Sequence, residues 1–288
     1  MHSEILEEVN KLIKHEHLNS TFIDGVNVYK ISDFLERCPL TYDICLIIIL
    51  QGKKIGYLPN KKFEYDKNNY LVVPITLPFE CETFASKDEP VIGLSINLNK
   101  QMMIDIISSL PSNEKKDSNK TSMGVFQGKV TSQIEEIIYR LVKVLQSKQE
   151  SDILGTSILR ELYYRIATGE NAHFLHKMFL EQEQEAKIAK SLKKIHDNFN
   201  SSIDVPSLAN AEEMSLSSYH RYFKAITSYT PLQYIKKIKL NKARELIENN
   251  KLQVNDTAYE VGYVSVSQFS RDFKNYFGFP PKEAKIKI

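Results

Sequence analysis

Two short stretches place a serine, an aromatic, an arginine and a lysine where one helix could present them together. Residues 214–224 read M-S-L-S-S-Y-H-R-Y-F-K, and residues 264–274 read V-S-V-S-Q-F-S-R-D-F-K. Ser215, Ser217, Tyr219, Arg221, Phe223 and Lys224 each recur fifty residues later, as Ser265, Ser267, Phe269, Arg271, Phe273 and Lys274, and Pro231 and Pro281 close the two units. A repeat of this size means one supersecondary unit used twice. In the first copy Tyr219, Phe223 and Ile226 fall at i, i+4 and i+7 and form a core stripe. Ser217, His220, Arg221 and Lys224 share the opposite side. In the second, Phe269 and Phe273 take the core role, leaving Ser267, Ser270, Arg271 and Lys274 outward, with Gln268 beside them. The chemistry that suits such faces is reading of nucleic acid. A guanidinium makes bidentate contacts to guanine, hydroxyls and imidazole reach base edges, and ammonium groups hold phosphates.

The elements that must position these faces are legible nearby. Asp204 precedes Pro206 in a helix start, a place proline tolerates, and that helix carries Leu208 and Ala209. Ser215 caps the next helix, and Ser265 with Gln268 fits a capping box. Gly262 supplies the second turn. Each pair of helices is a helix-turn-helix, whose second helix buries one stripe and presents the other. Thr230-Pro231 opens a long connecting helix, with Leu232, Ile235, Ile238, Leu246 and Ile247 expected inward and Lys236, Lys237, Lys239 and Arg244 outward.

The remainder of the chain is different in kind. Of 288 residues, 42% are hydrophobic and 26% charged, which fits a globular protein long enough for two domains. Net charge is +2. From Lys190 onward there are 16 basic and 10 acidic residues, against 22 and 26 before it. A basic end on an acidic body predicts that only the end meets a polyanion. The longest apolar run, residues 44–50, is too short to cross a bilayer, so no membrane partner is expected. The start M-H-S-E-I-L-E-E lacks the order of a signal peptide. Cys38, Cys45 and Cys81 are odd in number and show no C-x-x-C spacing, so a cytoplasmic location is expected, nucleoid-associated when on DNA.

Residues 1–20 read as helix, with Ile5, Val9, Leu12 and Ile13 on one face. Between about 22 and 99, I-C-L-I-I-I-L, K-K-I-G-Y-L-P-N, F-E-Y, N-Y-L-V-V-P, F-E-C-E-T-F and V-I-G-L-S-I-N-L read as strands of a small sandwich or barrel. Gln51-Gly52 and Pro59-Asn60 are candidate hairpin turns. Helix returns at 100–110, and residues 111–124 are polar and expected to be mobile. Ile134, Ile137, Ile138, Leu141, Val142 and Leu145 then form a stripe at the helical period. It is either domain core or a dimer seam, and a homodimer through a 126–149 helix is one expectation. A further helix ends at Thr168-Gly169.

The segment from about Leu192 to Ala284 resembles the DNA-binding domain of the AraC/XylS transcription regulators. The run V-G-Y-V-S-V-S-Q-F-S-R-D-F-K-N-Y-F-G-F-P-P carries the resemblance. It implies two helix-turn-helix units entering successive major grooves on one DNA face. Ser217, His220, Arg221, Ser267, Ser270 and Arg271 would be base readers, and Lys224, Lys274 and the connecting-helix lysines, Lys236 and Lys237 among them, phosphate holders. Glu213 stands in the first turn where many members have glycine, which predicts a less sharp turn. In the other half, L-Q-G-K-K, F-E-Y-D-K-N-N-Y-L-V-V, A-S-K-D-E-P and G-T-S-I-L-R-E-L-Y-Y-R-I-A-T-G resemble one AraC-type sensory domain, a cupin-like barrel followed by helices.

The expected architecture is therefore α+β. An N-terminal cupin-like sensory or dimerisation domain covers 1–169, with a barrel at 22–99 and helices at 100–169. A linker spans 170–186. An all-α domain covers 187–288, with units at 204–228 and 255–278 and a connecting helix at 231–249. The expected function is sequence-specific DNA-binding regulation, as an activator, with double-stranded DNA, RNA polymerase and a small-molecule effector as partners. No catalytic residue, metal or cofactor is assigned. The alternative is a cupin-type enzyme or a thiol or electrophile sensor carrying a DNA-binding module. No histidine lies between His17 and His173, which disfavours a metal cupin. Cys38, Cys45 and Cys81 are either buried filler or, with Lys53, Lys54 and Arg37 near them to lower a thiol pKa, a sensor. Tyr57, Phe63, Tyr65, Tyr70, Phe79 and Phe84 are either pocket lining or barrel core.

Overall fold

The computed structural model describes residues 2–59, 61–111, 124–179, 184–248 and 252–285. Asn60 of the second hairpin turn and most of the polar stretch 111–124 lie outside the described residues. The chain opens with helix α1 (His2–Asn10), followed by strands β1 (His17–Ser20), β2 (Val26–Ile31), β3 (Leu35–Tyr42), β4 (Cys45–Gln51), β5 (Lys53–Leu58), β6 (Lys61–Asp66), β7 (Asn69–Val73), β8 (Leu77–Phe84) and β9 (Val91–Asn97). They hydrogen-bond antiparallel in the order β1-β2-β9-β4-β7-β6-β5-β8-β3, and β10 (Phe126–Lys129) adds to β7. The sheet curls into a half-barrel, and its two end strands, β1 and β3, line one cavity.

Local chemistry explains where these strands begin. Helix expected over 1–20 stops at Asn10, because buried Asn19 ties the next turn. Its Oδ1 accepts from the Lys14 and His15 amides at 2.8 and 3.1 Å, and its Nδ2 donates to the carbonyls of His15 and His17. Such side-chain bonds compete with helical ones. Gly52 makes the β4–β5 turn with φ +77°, as expected of Gln51-Gly52. β4 reads as an unbroken apolar run because both faces are covered; only Gln51 is less than fully buried.

Three capped helices back the sheet. Asn99 caps α2 (Lys100–Ser109), Thr131 caps α3 (Ser132–Val144), and Ser147 caps α4 (Lys148–Ala167). The expected 126–149 helix is thus a strand, α3 and the start of α4. Its apolar stripe is core within this chain: Ile134, Ile137, Ile138, Leu141, Val142 and Leu145 are all buried, with α3 packed on α1 and α4. The expected linker 170–186 holds helix α5 (His173–Phe179), whose His173, Leu175, His176, Met178 and Phe179 are buried. α5 packs on α2, α4 and α6 (Gln184–Asp197).

The C-terminal part contains α7 (Val205–Ala211), α8 (Leu216–Thr227), α9 (Pro231–Glu248), α10 (Val254–Glu260), α11 (Val266–Phe277) and a 3-10 turn, Pro281–Lys285. The half-barrel core runs on into the first unit through Tyr219, Phe223 and Tyr234. Tyr234 Oη donates to the Thr76 carbonyl at 2.6 Å, and the Gly124 amide to the Ile226 carbonyl at 2.8 Å. The second unit has its own core of Leu240, Ala243, Ile247, Ala258, Val261, Phe269, Phe273 and Ala284.

Candidate nucleic-acid interface

Both units are built as the residue types dictate. Asp204 Oδ2 accepts from the Ser207 amide at 2.9 Å, and Pro206 sits in the first turn of α7. Ser215 Oγ accepts from the Ser218 amide and Ser265 Oγ from the Gln268 amide, each at 3.3 Å. Tyr219, Phe223, Phe269 and Phe273 are fully buried. With that stripe inward, Ser217, His220, Arg221 and Lys224 are exposed on α8. Ser267, Gln268, Arg271 and Lys274 are exposed on α11, and Ser270 is half-buried. The Arg221 guanidinium lies 5.0 Å from the Tyr222 ring centroid.

The turns reveal a register change that the repeat conceals. Met214 N donates to the Ala209 carbonyl as Tyr263 N does to that of Ala258, and Glu213 N to Asn210 as Gly262 N does to Tyr259. Upstream of the recognition helices the units therefore match at 49 residues, not 50. The second unit carries one additional residue before its cap, and Val264, 95% exposed, occupies that loop. Glu213 is thus the counterpart of Gly262, and φ is +52° at one and +74° at the other. The expectation of a less sharp first turn is corrected: Glu213 adopts the left-handed backbone that glycine would supply more cheaply. Glu212 beside it is 7% exposed and pairs with Lys194 of α6 at 2.6 Å.

The connecting helix departs from expectation. Leu232 is 65% exposed rather than inward, because the buried faces of α9 run through Tyr234, Ile235 and Ile238, then Leu240, Ala243 and Ile247. Its cations have partners within the chain. Lys236 Nζ pairs with Asp272 of α11 at 2.6 Å. Lys237 Nζ lies 4.7 and 4.2 Å from the Tyr229 and Tyr276 rings, and burial pulls its pKa down. Lys239 Nζ donates to the Gly262 carbonyl at 3.2 Å, and Arg244 Nε to Glu248 at 2.5 Å. The reason is position: α9 lies between both units and against β3 and β8.

The half-barrel cavity, of about 510 Å³, is lined by Tyr29, Thr41, Tyr42, Cys45 and Lys54 among others. The aromatics singled out from sequence lie elsewhere. Phe63, Tyr65, Tyr70 and Phe79 are core, Tyr57 lies under Arg37, and Phe84 under Lys53. Strand alternation was the available signal: with Lys53 outward on β5, Lys54 points in. Of the two readings of the cysteines, burial favours filler over sensor at Cys38 and Cys45. Burial pushes the Cys38 thiol up, against the pull of nearby Arg244, and pushes Cys45 up to about 12. A second cleft, of about 410 Å³, separates β3 from α6 and α9. Leu40, Thr41 and Asp43 line both spaces. Among the described residues no helix is long and apolar enough to cross a membrane, and no cluster of His, Cys, Asp and Glu has a metal-holding arrangement.

This geometry can be set beside known proteins. Residues 22–174 match the family described as AraC-type transcriptional regulator N-terminus, and residues 208–285 match a helix-turn-helix domain. The HTH-type transcriptional activator RhaS of Escherichia coli O1:K1 is 24% identical over 157 residues, 54% of this chain and 55% of that protein. The chain thus spans about half the length of the curated relatives it matches. In fold it is similar to wild-type ToxT from Vibrio cholerae strain SCE256 with bound unsaturated fatty acid, at a TM-score of 0.60 and 13% identity, over 95% of this chain and 98% of that one. ToxT from Vibrio cholerae O395 gives a TM-score of 0.57 at 15% identity, over 91% and 98%. With a family match over more than half of its residues, the chain belongs to the AraC-type transcriptional regulators.

Proposed function

We propose that this protein is a sequence-specific DNA-binding regulator that acts as an activator and is switched through its half-barrel. The observation that carries the reading is the pair of serine-capped helices, α8 and α11. Each buries an aromatic stripe and holds an arginine in solvent. Ser217, His220 and Arg221 read bases from one helix, and Ser267, Gln268, Ser270 and Arg271 from the other. Lys224 and Lys274 hold phosphates, while Lys236 and Lys237 chiefly order the connecting helix. One chain carries two reading heads, so direct repeats about 10 bp apart suit it. Activation implies contact with RNA polymerase, in the cytoplasm and at the nucleoid; RhaS, a relative, is an activator by name. A small-molecule effector in the half-barrel is supported by ToxT, which has been captured with a fatty acid. With the α3 stripe consumed as core, a homodimer would use other surfaces.

Selection of genomic fragments bound by the full chain, followed by footprinting, tests the reading. Protected sites sharing a two-part motif are expected, with affinity falling steeply as salt rises from 50 to 200 mM, since lysines displace condensed counterions. Binding indifferent to sequence and salt would refute it.

A further inference from the structure

One ammonium joins the two reading units. Lys237 projects from α9 with its Nζ 4.7 Å from the Tyr229 ring centroid and 4.2 Å from that of Tyr276. Tyr229 follows α8 and is 8% exposed, packed in the core that the first unit shares with the half-barrel. Tyr276 belongs to α11, and its hydroxyl accepts from Asn241 Nδ2 at 3.0 Å. Asn241 Nδ2 also donates to the Lys237 carbonyl at 2.9 Å, one turn back along α9. The cation is thus held between a ring of each unit. Ring faces attract a cation, and more strongly where water is displaced. Burial lowers the Lys237 pKa, so the ammonium sits where water is scarce, and Glu80 of β8, paired with Arg37 at 2.5 Å, opposes that shift from across the half-barrel boundary. Lys236 adds a second tie, to Asp272 of α11, whose other carboxylate oxygen accepts from Tyr263 Oη at 3.4 Å. That tie reaches the second unit; Lys237 reaches both.

We infer that the Tyr229–Lys237–Tyr276 clasp fixes the angle between α8 and α11, and so selects operators by the spacing between their two half-sites. This rests on the reading of α8 and α11 as two heads on one duplex, and adds a specificity that neither head's base contacts supply. The physical ground is the shape of the duplex. One base pair more or less between the half-sites displaces the second by about 3.4 Å and turns it by about 35°. A rigid joint cannot follow that turn, and leaves one head strained or unengaged. A loose joint can follow it, at a cost in pre-organisation and in the effective concentration of the second head. Lys237 is a positioning residue in this account: it acts through α11 and not on a base.

The test uses the full chain and the operator recovered by selection, in versions with one base pair inserted or deleted between the half-sites. Affinities are measured by fluorescence anisotropy. The parent is expected to lose about tenfold or more on either respaced duplex. Lys237→Met keeps an unbranched apolar stem and removes the charge. It is expected to shrink that penalty to about threefold or less, with base preference inside each half-site unchanged. Lys237→Arg keeps a cation over the rings and is expected to retain the parent's penalty. Tyr276→Leu removes one ring and is expected to behave as Lys237→Met does, so the test survives if either variant misfolds. A parent with two half-sites but no spacing penalty, or a folded Lys237→Met or Tyr276→Leu chain with the parent's full penalty, would overturn the proposal. So would an equal loss by Lys237→Met on every spacing with a log–log salt slope shallower by about one unit, the mark of a phosphate contact. A parent that reads a single half-site sinks the two-headed reading and the clasp with it. Two half-sites whose spacing preference ignores Lys237 and Tyr276 sink the clasp alone.

Discussion

At single positions, backbone and side chain make separable demands. Glu213 holds a left-handed conformation, φ +52°, where the second unit has Gly262. Such a conformation costs a side-chain-bearing residue roughly 1–2 kcal/mol. Glu213→Gly is therefore expected to raise stability by about 1 kcal/mol in thermal or denaturant unfolding, and to leave the operator sequence unchanged. The fold at this point was readable as a tight turn. Its register was not, because the inserted residue precedes Ser265, where the visible repeat begins. Arg221 and Arg271 were legible as outward residues because their helices each bury an aromatic four residues apart, and period alone fixes the opposite face. Lys54 was missed among adjacent lysines, since only strand pairing tells which of two neighbours turns inward.

Elements show where pattern stops being informative. Caps and core stripes of α8 and α11 are local properties, and the structure has them where the sequence put them. α9 is different: a helical wheel separates its faces but says nothing of what covers them. Its lysines were assigned to phosphates, yet Lys236 meets Asp272 and Lys237 lies between two tyrosines. This yields a comparison. Replacing Lys224 or Lys274 by alanine is expected to reduce the salt dependence of DNA affinity by about one unit in log–log slope, and Lys236→Ala to leave it nearly unchanged. Titration at several salt concentrations measures both. Cap loss is a second check: Ser265→Ala is expected to destabilise by about 1 kcal/mol. α5 was not expected because residues 170–186 read as a linker, whereas His173, Leu175, His176, Met178 and Phe179 within that span are buried.

For the whole molecule, the proposed switching would have to pass through the interface between the half-barrel and the helix-turn-helix units. His196 lines that cleft, and burial lowers its pKa below the ordinary 6.5, opposed by Asp43 and Asp197 and assisted by Lys242. The unfolded chain then binds a proton more readily than the folded one. The associated stability is present above pH 6.5 and is lost as pH falls through the folded value. Thermal unfolding is expected to show a lower Tm at pH 5.5 than at pH 7.5, with the difference reduced in His196→Gln. Glu8, held down at about 2 by Gln146 and Lys11, acts only in a more acidic window. The central claim remains that α8 and α11 read two separate stretches of one duplex. Its most direct measurement is base-by-base operator scanning with the parent, Arg221→Ala and Arg271→Ala. Each variant is expected to lose about 1–3 kcal/mol of discrimination at its own position, the two positions lying about one helical turn apart. Unchanged base preference in both variants, or loss at one shared position, would contradict the account.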